Sequence, residues 1–236
     1  MNTKDKIDFI GNWIKSYATS NNFESLVIGI SGGIDSAVTS TLSAKTGLKT
    51  IVANMPILDH KITNDRGMSH IHWLKENFEN VEDLKIDLSD VFKNFKSALN
   101  KNNSEHGYAN SQARIRMATL YQIAASNNGI VVGTGNKVED FGIGFYTKYG
   151  DGGVDISPIA DCLKTEIWDM GKELMINQDI IDAAPTDGLW SDGRSDEDQV
   201  GLNYAEIEEA MINENSSNRD KYLEIRKNNV HKMNPI

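Results

Sequence analysis

The segment "LVIGISGGIDS" (residues 26–36) places a serine, two glycines, an aspartate and a second serine directly after an apolar run. Glycines at a strand-to-helix turn let the backbone approach a phosphate, and the N–H groups that begin the next helix attract anions. Asp35 would repel a phosphate unless a cation lay between them, and Mg²⁺ prefers oxygen ligands of both kinds. The pattern predicts a pyrophosphate-binding loop with Asp35 as a metal ligand; the alternative is a tight turn capped by Ser36.

Two other phosphate-binding loops do not match this segment. The dinucleotide fingerprint needs G-x-G-x-x-G, which "GISGGIDS" does not contain. A Walker A loop has a lysine immediately before its serine or threonine, and no lysine precedes Ser36. The sequence therefore does not indicate γ-phosphate transfer of the Walker type.

Strands and helices alternate around this loop. Apolar runs at 25–30, 48–55, 81–87 and 130–133 predict strands, and helical periodicity occurs at 3–20, 36–46, 68–78, 88–99 and 113–124. Gly47 is a predicted left-handed cap, and the polar residues 101–110 are predicted to loop out. The alternation predicts a parallel sheet with helices on both faces. Ligands bind such sheets at the carboxyl ends of the strands, where "SGGIDS" and "GTGNKVED" both fall.

After residue 155 the pattern becomes helical, and Ser195 begins a segment with capping-box spacing. The polar segment 190–201 lies between "APTDGL" and a helical pattern and includes this capping signal, with Arg194 as a protease-sensitive position. We interpret it as a lid that shields a reactive intermediate from water, or alternatively as a plain surface loop.

Composition limits the class of protein. The chain has 236 residues, 39% of them hydrophobic, and four prolines, which is typical of one globular domain. Its single cysteine excludes an internal disulfide and a cysteine-rich zinc site. A net charge of −10 argues against nucleic acid as a partner. No apolar run approaches the roughly 20 residues that span a bilayer, so we expect no membrane partner and a cytoplasmic location.

"SGGIDS" resembles the PP-loop of the ATP pyrophosphatases, which cleave ATP between the α- and β-phosphates and activate a substrate as an adenylate. The segments "GTGNKVEDFGIGFYTKYGDGGVDISPIADCLKTEIW" and "APTDGLW", with the terminal "HK", resemble the ammonia-dependent NAD synthetases. The resemblance covers the chain from about residue 26 to its end. It implies a single NAD synthetase domain over residues 1–236. The implied fold is a doubly wound parallel five-stranded sheet with helices on both faces, like that of the adenine nucleotide alpha hydrolases, and a helical C-terminal part.

The resemblance also implies a reaction, the last step of NAD biosynthesis. ATP activates the nicotinate carboxylate of deamido-NAD as an NAD-adenylate with release of pyrophosphate, and ammonia then displaces AMP to give NAD. The implied cofactor is Mg²⁺ and the implied assembly a homodimer. The length leaves no room for the glutaminase domain of the glutamine-dependent members, so we expect free ammonia or a separate glutaminase chain as the source, and Cys162 as a packing residue.

The resemblance assigns residues to roles. Catalysis falls to Asp35, Lys164 and Thr186, and the metal to Asp35 and Glu139. The positions that match ATP contacts are Gly29, Ile30, Ser31, Gly32, Gly33, Ile34, Asp35, Ser36, Thr134, Lys164 and Thr186. The positions that match deamido-NAD contacts are Arg114, Lys148, Asp155, His231 and Lys232.

Some of these assignments have alternatives. Between Glu139 and Lys148 the chain carries one residue more than the commoner family spacing, so Asp140 competes with Glu139 for the metal. Without the resemblance, Lys164 would be a surface lysine. Asp151 in "YGDGG" is either the proton acceptor for attacking ammonia or a turn residue before two glycines.

Two rival functions remain. A tRNA-modifying or GMP-forming relative would also make an adenylate, although the tRNA enzymes generally have basic surfaces and sulfur-handling cysteines that this chain lacks. A regulatory module could bind ATP without turning it over, but it would not need Asp35, Glu139, Lys164 and Thr186 together.

Overall fold

Strands alternate with helices in the computed structural model, which describes residues 1–57, 61–186 and 195–233. The elements are α1 (Thr3–Ser20), β1 (Ser25–Gly29), α2 (Ile34–Lys45), β2 (Lys49–Asn54), α3 (Lys61–Asn77), β3 (Val81–Lys85), α4 (Ser89–Leu99), α5 (Glu105–Ser126), β4 (Gly129–Val131), a π-helix (Lys137–Ile143), α6 (Lys164–Glu173), α7 (Gln178–Ile181), α8 (Asp196–Val200), α9 (Tyr204–Ile212) and α10 (Arg219–Met233).

The described strands form one parallel sheet in the order β3-β2-β1-β4. Alternate residues of the central strand β1 enter different cores, because side chains of a strand point to opposite faces in turn. Leu26 and Ile28 pack with α1, α2, α3 and α6, whereas Val27 packs with α5. Both faces of the sheet are therefore covered by helices, as predicted for a doubly wound fold.

The prediction of a five-stranded sheet is wrong, because the described sheet has four strands. Ile156 reaches the free edge of β4 but forms only one parallel bridge, to Val132. Beside that bridge the Asp155 carboxylate, rather than a backbone carbonyl, accepts the Val131 N–H at 2.7 Å. Pro158 follows and has no N–H to donate. The ladder therefore cannot extend in either direction.

The predicted loop at 101–110 is also wrong in part, because α5 already begins at Glu105. Ser104 caps this helix, and its side chain accepts a hydrogen bond from the N–H of Gly107 at 3.2 Å. The first turn is largely solvent-exposed, so its polar composition does not indicate a break in the helix. The predicted cap at Gly47 is confirmed by a φ of +77°.

The C-terminal part is helical, as predicted, and α9 and α10 pack against the π-helix. A second core joins them, made of Val138, Ile143, Leu202, Tyr204, Ile207, Ala210 and Tyr222. Ser195 caps α8 in a capping box with Asp198, as its spacing predicted. Of the predicted lid, residues 190–194, which include Arg194, lie outside the described residues. Among the described helices, none has the length and apolar composition that crossing a bilayer requires.

Candidate active site

A cavity of about 420 Å³ opens at the carboxyl ends of the strands, where parallel sheets bind ligands. Its wall is formed by the loop after β1, the end of β2, one face of α5, the turn after β4, the π-helix and the start of α6. A volume of this size suits a small-molecule site. The two glycine-containing segments identified from the sequence therefore line one cavity.

The hydroxyl groups of Ser31 and Ser36 form hydrogen bonds with the backbone of the loop between β1 and α2. Gly32 has a φ of +85°, a conformation that a side chain would strain. The Ser36 hydroxyl donates to the Gly33 carbonyl at 2.9 Å, and the Ser31 hydroxyl accepts from the Gly33 N–H at 3.2 Å. The N-cap of α2 is Gly33 and has no side-chain cap, so the alternative of Ser36 as the cap is wrong. Ser36 is the third residue of α2, and its hydroxyl bonds back to the loop that borders the cavity. The predicted ATP contacts that line the cavity are Gly29, Ile30, Ser31, Gly33, Ile34, Asp35, Ser36, Thr134, Lys164 and Thr186.

Lys164 links two carboxylates from separate elements. It is the first residue of α6 and is 2% exposed, so the surface alternative is wrong. Its Nζ lies 2.6 Å from Oδ2 of Asp35 on α2 and 2.8 Å from Oε1 of Glu139 on the π-helix. The fold therefore brings the two predicted metal ligands to one point, and a cation already occupies that point.

The charges of this cluster do not balance, because two carboxylates face one ammonium group. Burial would lower the pKa of Lys164, but the charges of Asp35 and Glu139 outweigh burial and raise it. Burial raises the pKa of Asp35, and Lys164 offsets this only in part. Burial also opposes the ionisation of Glu139, yet Lys164 and several hydrogen bonds hold its pKa below the ordinary value. The cluster can accept further positive charge.

Asn136 joins the same cluster, although no role was predicted for it from the sequence. Its fully buried side chain donates from Nδ2 to Oδ1 of Asp35 at 2.9 Å. Its Oδ1 accepts the N–H groups of Val138 and Glu139, both at 3.0 Å, and so caps the π-helix. An asparagine just before a helical segment is a capping signal, and in "GTGNKVE" that signal was available.

Asp140 also borders the cavity but is not part of the lysine cluster. In the described part of the chain it forms no ion pair, and its carboxylate lies against the backbone of Gly135, where an added Cβ would be 2.0 Å from Oδ2. Burial, Glu139, Asp151 and Asp35 raise its pKa to about 8. Lys164 therefore selects Glu139 over Asp140 as the partner of Asp35.

The arrangement fits a Mg²⁺ ion that completes its coordination with substrate. Two carboxylates converge on one point, and their negative charge exceeds that of the resident lysine. Among the described residues, no three histidine, cysteine or acidic side chains are grouped to hold a metal. Mg²⁺ commonly binds one or two carboxylates together with phosphates and waters, so two protein ligands suffice.

The five predicted deamido-NAD contacts fall into three places. Lys232 lines the cavity, and its Nζ donates to the carbonyls of Gly144 and Tyr146 at 2.8 and 3.0 Å. A second group lies outside the cavity wall: the Arg114 guanidinium donates to the Lys148 carbonyl at 3.3 Å, and Lys148 Nζ donates to the His231 carbonyl at 3.1 Å.

Asp155, the fifth of these residues, is at the edge of β4. It accepts hydrogen bonds from the Tyr121 hydroxyl at 3.1 Å and from the Val131 N–H. The structure therefore groups Arg114, Lys148 and His231, and places Lys232 and Asp155 apart from them.

Asp151 and Cys162 lie in different surroundings. Asp151 lines the cavity and accepts the Thr147 N–H at 3.0 Å, so it is both a turn residue and a carboxylate that faces the site. Burial is the largest cause that raises its pKa. Cys162 is a free thiol that is 3% exposed, and burial raises its pKa to about 11. This supports packing rather than nucleophilic chemistry for Cys162.

The cavity wall contains further polar groups that the sequence did not reveal. Three buried atoms, Oδ1 of Asn54, Oδ1 of Asn64 and Nε of Arg66, line the wall and have no hydrogen-bond partner among the described residues. Buried polar groups are normally satisfied, so each of these atoms can still pair with a water, an ion or a ligand group. No periodic pattern or motif distinguishes them in the sequence.

Comparisons with known proteins agree with this geometry. The family model for NAD synthase matches residues 6–235. The NH₃-dependent NAD(+) synthetase of Carboxydothermus hydrogenoformans is 34% identical over 90% of this chain and 86% of its own length, and that of Mesoplasma florum is 34% identical over 99% and 93%.

Among solved structures, one described as an NMN synthetase from Francisella tularensis superimposes with a TM-score of 0.91 at 31% identity, over 100% of this chain and 98% of the other. The NH₃-dependent NAD synthetase of Campylobacter jejuni superimposes at 0.80 and 24% identity, over 100% and 98%, which supports the fold. Given the family match over nearly the whole sequence, this chain belongs to the NAD synthase family.

Proposed function

We propose that this chain uses the Asp35–Lys164–Glu139 cluster to amidate deamido-NAD to NAD with ATP and ammonia. It is a ligase of the NH₃-dependent NAD(+) synthetase type. One observation carries the site assignment: two carboxylates and a buried lysine converge at the end of the loop between β1 and α2. A module that only binds ATP would not need this buried, imperfectly balanced set of charges.

In the first half-reaction, a carboxylate oxygen of the nicotinate attacks the α-phosphorus of ATP, and the bond to the bridging oxygen of pyrophosphate breaks. Two anions must approach each other, so catalysis depends on neutralising charge and on positioning. N–H groups at the start of α2 and the ammonium group of Lys164 bind phosphate oxygens. When bound at Asp35 and Glu139, Mg²⁺ would neutralise charge on the phosphates.

In the second half-reaction, ammonia attacks the acyl carbon of the adenylate and AMP leaves. The nitrogen gives up a proton as the amide forms, so an acceptor is needed. Asp151 faces the cavity and can take that proton. Its place in the turn also holds Thr147, so Asp151 contributes to local structure as well.

The proposal includes further elements predicted from the sequence. These are a homodimer, a cytoplasmic location, a single NAD synthetase domain over residues 1–236, and the assigned roles of Thr134, Thr186 and the deamido-NAD residues. The reacting carboxylate must enter the cavity that contains Lys164. The outer group of Arg114, Lys148 and His231 therefore serves a part of the acceptor remote from the reacting carboxylate.

A second acceptor is suggested by the similarity to the Francisella tularensis NMN synthetase, with its higher TM-score. The corresponding acceptor would be nicotinate mononucleotide, which carries the same carboxylate on half of the dinucleotide. Of the five acceptor residues, only Lys232 lines the cavity. A mononucleotide that occupies the cavity would need the outer group less than a dinucleotide would.

The test measures pyrophosphate release and amide product with ATP, Mg²⁺ and ammonium, and with deamido-NAD, nicotinate mononucleotide or xanthosine monophosphate as acceptor. We expect turnover with deamido-NAD and none with xanthosine monophosphate. The Arg114→Ala variant should lower kcat/KM for deamido-NAD but not for the mononucleotide. Lys15→Ala, at an exposed lysine of α1, is the control for loss of one positive charge.

The result also ranks the two acceptors. A larger kcat/KM for the mononucleotide in the unmodified chain would make it the preferred acceptor. Turnover with xanthosine monophosphate alone would contradict the proposal. Asp35→Asn should abolish pyrophosphate release with every acceptor while circular dichroism remains unchanged.

A further inference from the structure

Tyr204 contacts the metal-binding cluster from the C-terminal helices. It begins α9 and is 3% exposed. Its hydroxyl donates a hydrogen bond of 2.6 Å to Oε1 of Glu139, the oxygen that also accepts from Lys164. Glu139 is therefore fixed by one donor from α6 and one from α9.

The ring of Tyr204 contacts Lys164 as well. The Lys164 Nζ lies 4.8 Å from the ring centroid, within the range of a cation–π attraction. Trp168 packs edge-on against the ring of Tyr204, with ring centroids 5.9 Å apart and an angle of 87° between the ring planes. One side chain thus touches both a predicted metal ligand and the predicted phosphate-binding lysine.

A purely structural role is the alternative, because buried tyrosines usually find some hydrogen-bond partner. Tyr204 has a second acceptor within reach, Oδ2 of Asp196 at 3.3 Å, yet its shorter bond is to Glu139. Tyr222 gives a contrast within the same core. It is 6% exposed and its ring contacts the cation of Arg219, and no hydrogen bond among the described residues joins its hydroxyl to Glu139 or Lys164.

We propose that Tyr204 is a positioning residue, which orients the Glu139 carboxylate for the divalent ion and thereby couples the C-terminal helices to metal affinity. The inference rests on the proposed role of Asp35 and Glu139 as metal ligands. Groups that hold a metal ligand through a hydrogen bond commonly change metal affinity by about 10- to 100-fold when they are removed. Loss of the hydroxyl should therefore weaken metal binding without loss of the fold.

The experiment titrates the full chain with Mn²⁺ in the presence of an ATP analogue that carries a methylene group between the α- and β-phosphorus atoms. Free Mn²⁺ is measured by electron paramagnetic resonance, so the readout does not depend on turnover. We expect Tyr204→Phe to raise the Kd for Mn²⁺ about tenfold. Tyr222→Phe removes a hydroxyl from the same core and should leave the Kd unchanged.

A kinetic readout separates positioning from stability. In Tyr204→Phe, the Mg²⁺ concentration for half-maximal rate should rise about as much as the Kd, while kcat recovers at saturating Mg²⁺. The variant keeps the ring, so we expect circular dichroism like that of the unmodified chain.

Glu139→Gln distinguishes the two ways in which the idea can fail. If Glu139→Gln weakens Mn²⁺ binding but Tyr204→Phe does not, the positioning role of Tyr204 is overturned and the metal role of Glu139 stands. If Glu139→Gln binds Mn²⁺ like the unmodified chain, both the metal role and the inference are overturned.

Discussion

Replacing Lys164 by methionine tests the charge balance on which the site depends. Methionine has a similar length but no charge, so the variant leaves Asp35 and Glu139 facing each other without their shared cation. Removing one partner of a buried ion pair costs about 3 to 5 kcal/mol. The two carboxylates are 17% and 16% exposed, so some solvent screening remains and we take the lower figure, about 3 kcal/mol.

Thermal unfolding measures this loss. For a chain of this size, 1 kcal/mol shifts Tm by about 2 to 4 °C, so we expect Lys164→Met to unfold about 6 to 12 °C lower. Millimolar Mg²⁺ should restore part of the loss, because a cation can then occupy the place of the ammonium group. The unmodified chain should respond less, since Lys164 already neutralises part of the negative charge of the two carboxylates.

Lys172 on the same helix supplies the control. It pairs with Asp169 at 3.1 Å, and both side chains are about 60% exposed. Exposed pairs contribute about 1 kcal/mol or less, so Lys172→Met should shift Tm by no more than a few degrees. Equal Tm values for Lys164→Met and Lys172→Met would refute the view that Lys164 balances two buried carboxylates.

Two further predictions concern pH. Burial lowers the pKa of His70 from its ordinary 6.5 to about 4, so the folded state binds fewer protons than the unfolded state. The stability that neutral His70 contributes should be fully present above pH 6.5, and the free energy of unfolding should fall by about 3 kcal/mol as the pH drops towards 4. His70→Gln should flatten this part of the pH profile measured by urea unfolding. An unchanged profile would contradict the lowered pKa of His70. With ammonium salts, turnover should rise at mildly alkaline pH because NH₃ carries the free electron pair. Glutamine alone should not support turnover, and a comparable rate with glutamine, free of glutaminase, would count against the ammonia dependence.

The sequence was sufficient for the parts of the fold that depend on local patterns. Helix α1 and the four described strands follow from apolar periodicity, and the caps at Gly47 and Ser195 follow from residue type. The implied fifth strand failed for a tertiary reason. A side chain, Asp155, takes the N–H that a backbone carbonyl would have used, and alternation of apolar residues contains no information about that competition.

The site residues likewise divide into those that a sequence motif indicates and those that only tertiary contacts reveal. Asp35, Glu139 and Lys164 were identified because they match family motifs, and they meet at one point. Tyr204 was missed because its contact with Glu139 spans 65 residues and has no local signature. Trp13 and Tyr17 share the helical apolar spacing of Ile14 in α1, but they are 40% and 38% exposed while Ile14 is fully buried. A periodic pattern identifies a stripe of a helix, and packing decides how much of that stripe is covered.

The π-helix affects how this part of the site can vary in length. Its wider turn brings the Gly144 N–H to the Glu139 carbonyl and holds roughly one residue more than an α-helical turn. Asn136 anchors one end through its cap, and Arg226 and Asn229 of α10 bond carbonyls near the other end. An added residue is therefore absorbed within one turn, and both ends stay in place.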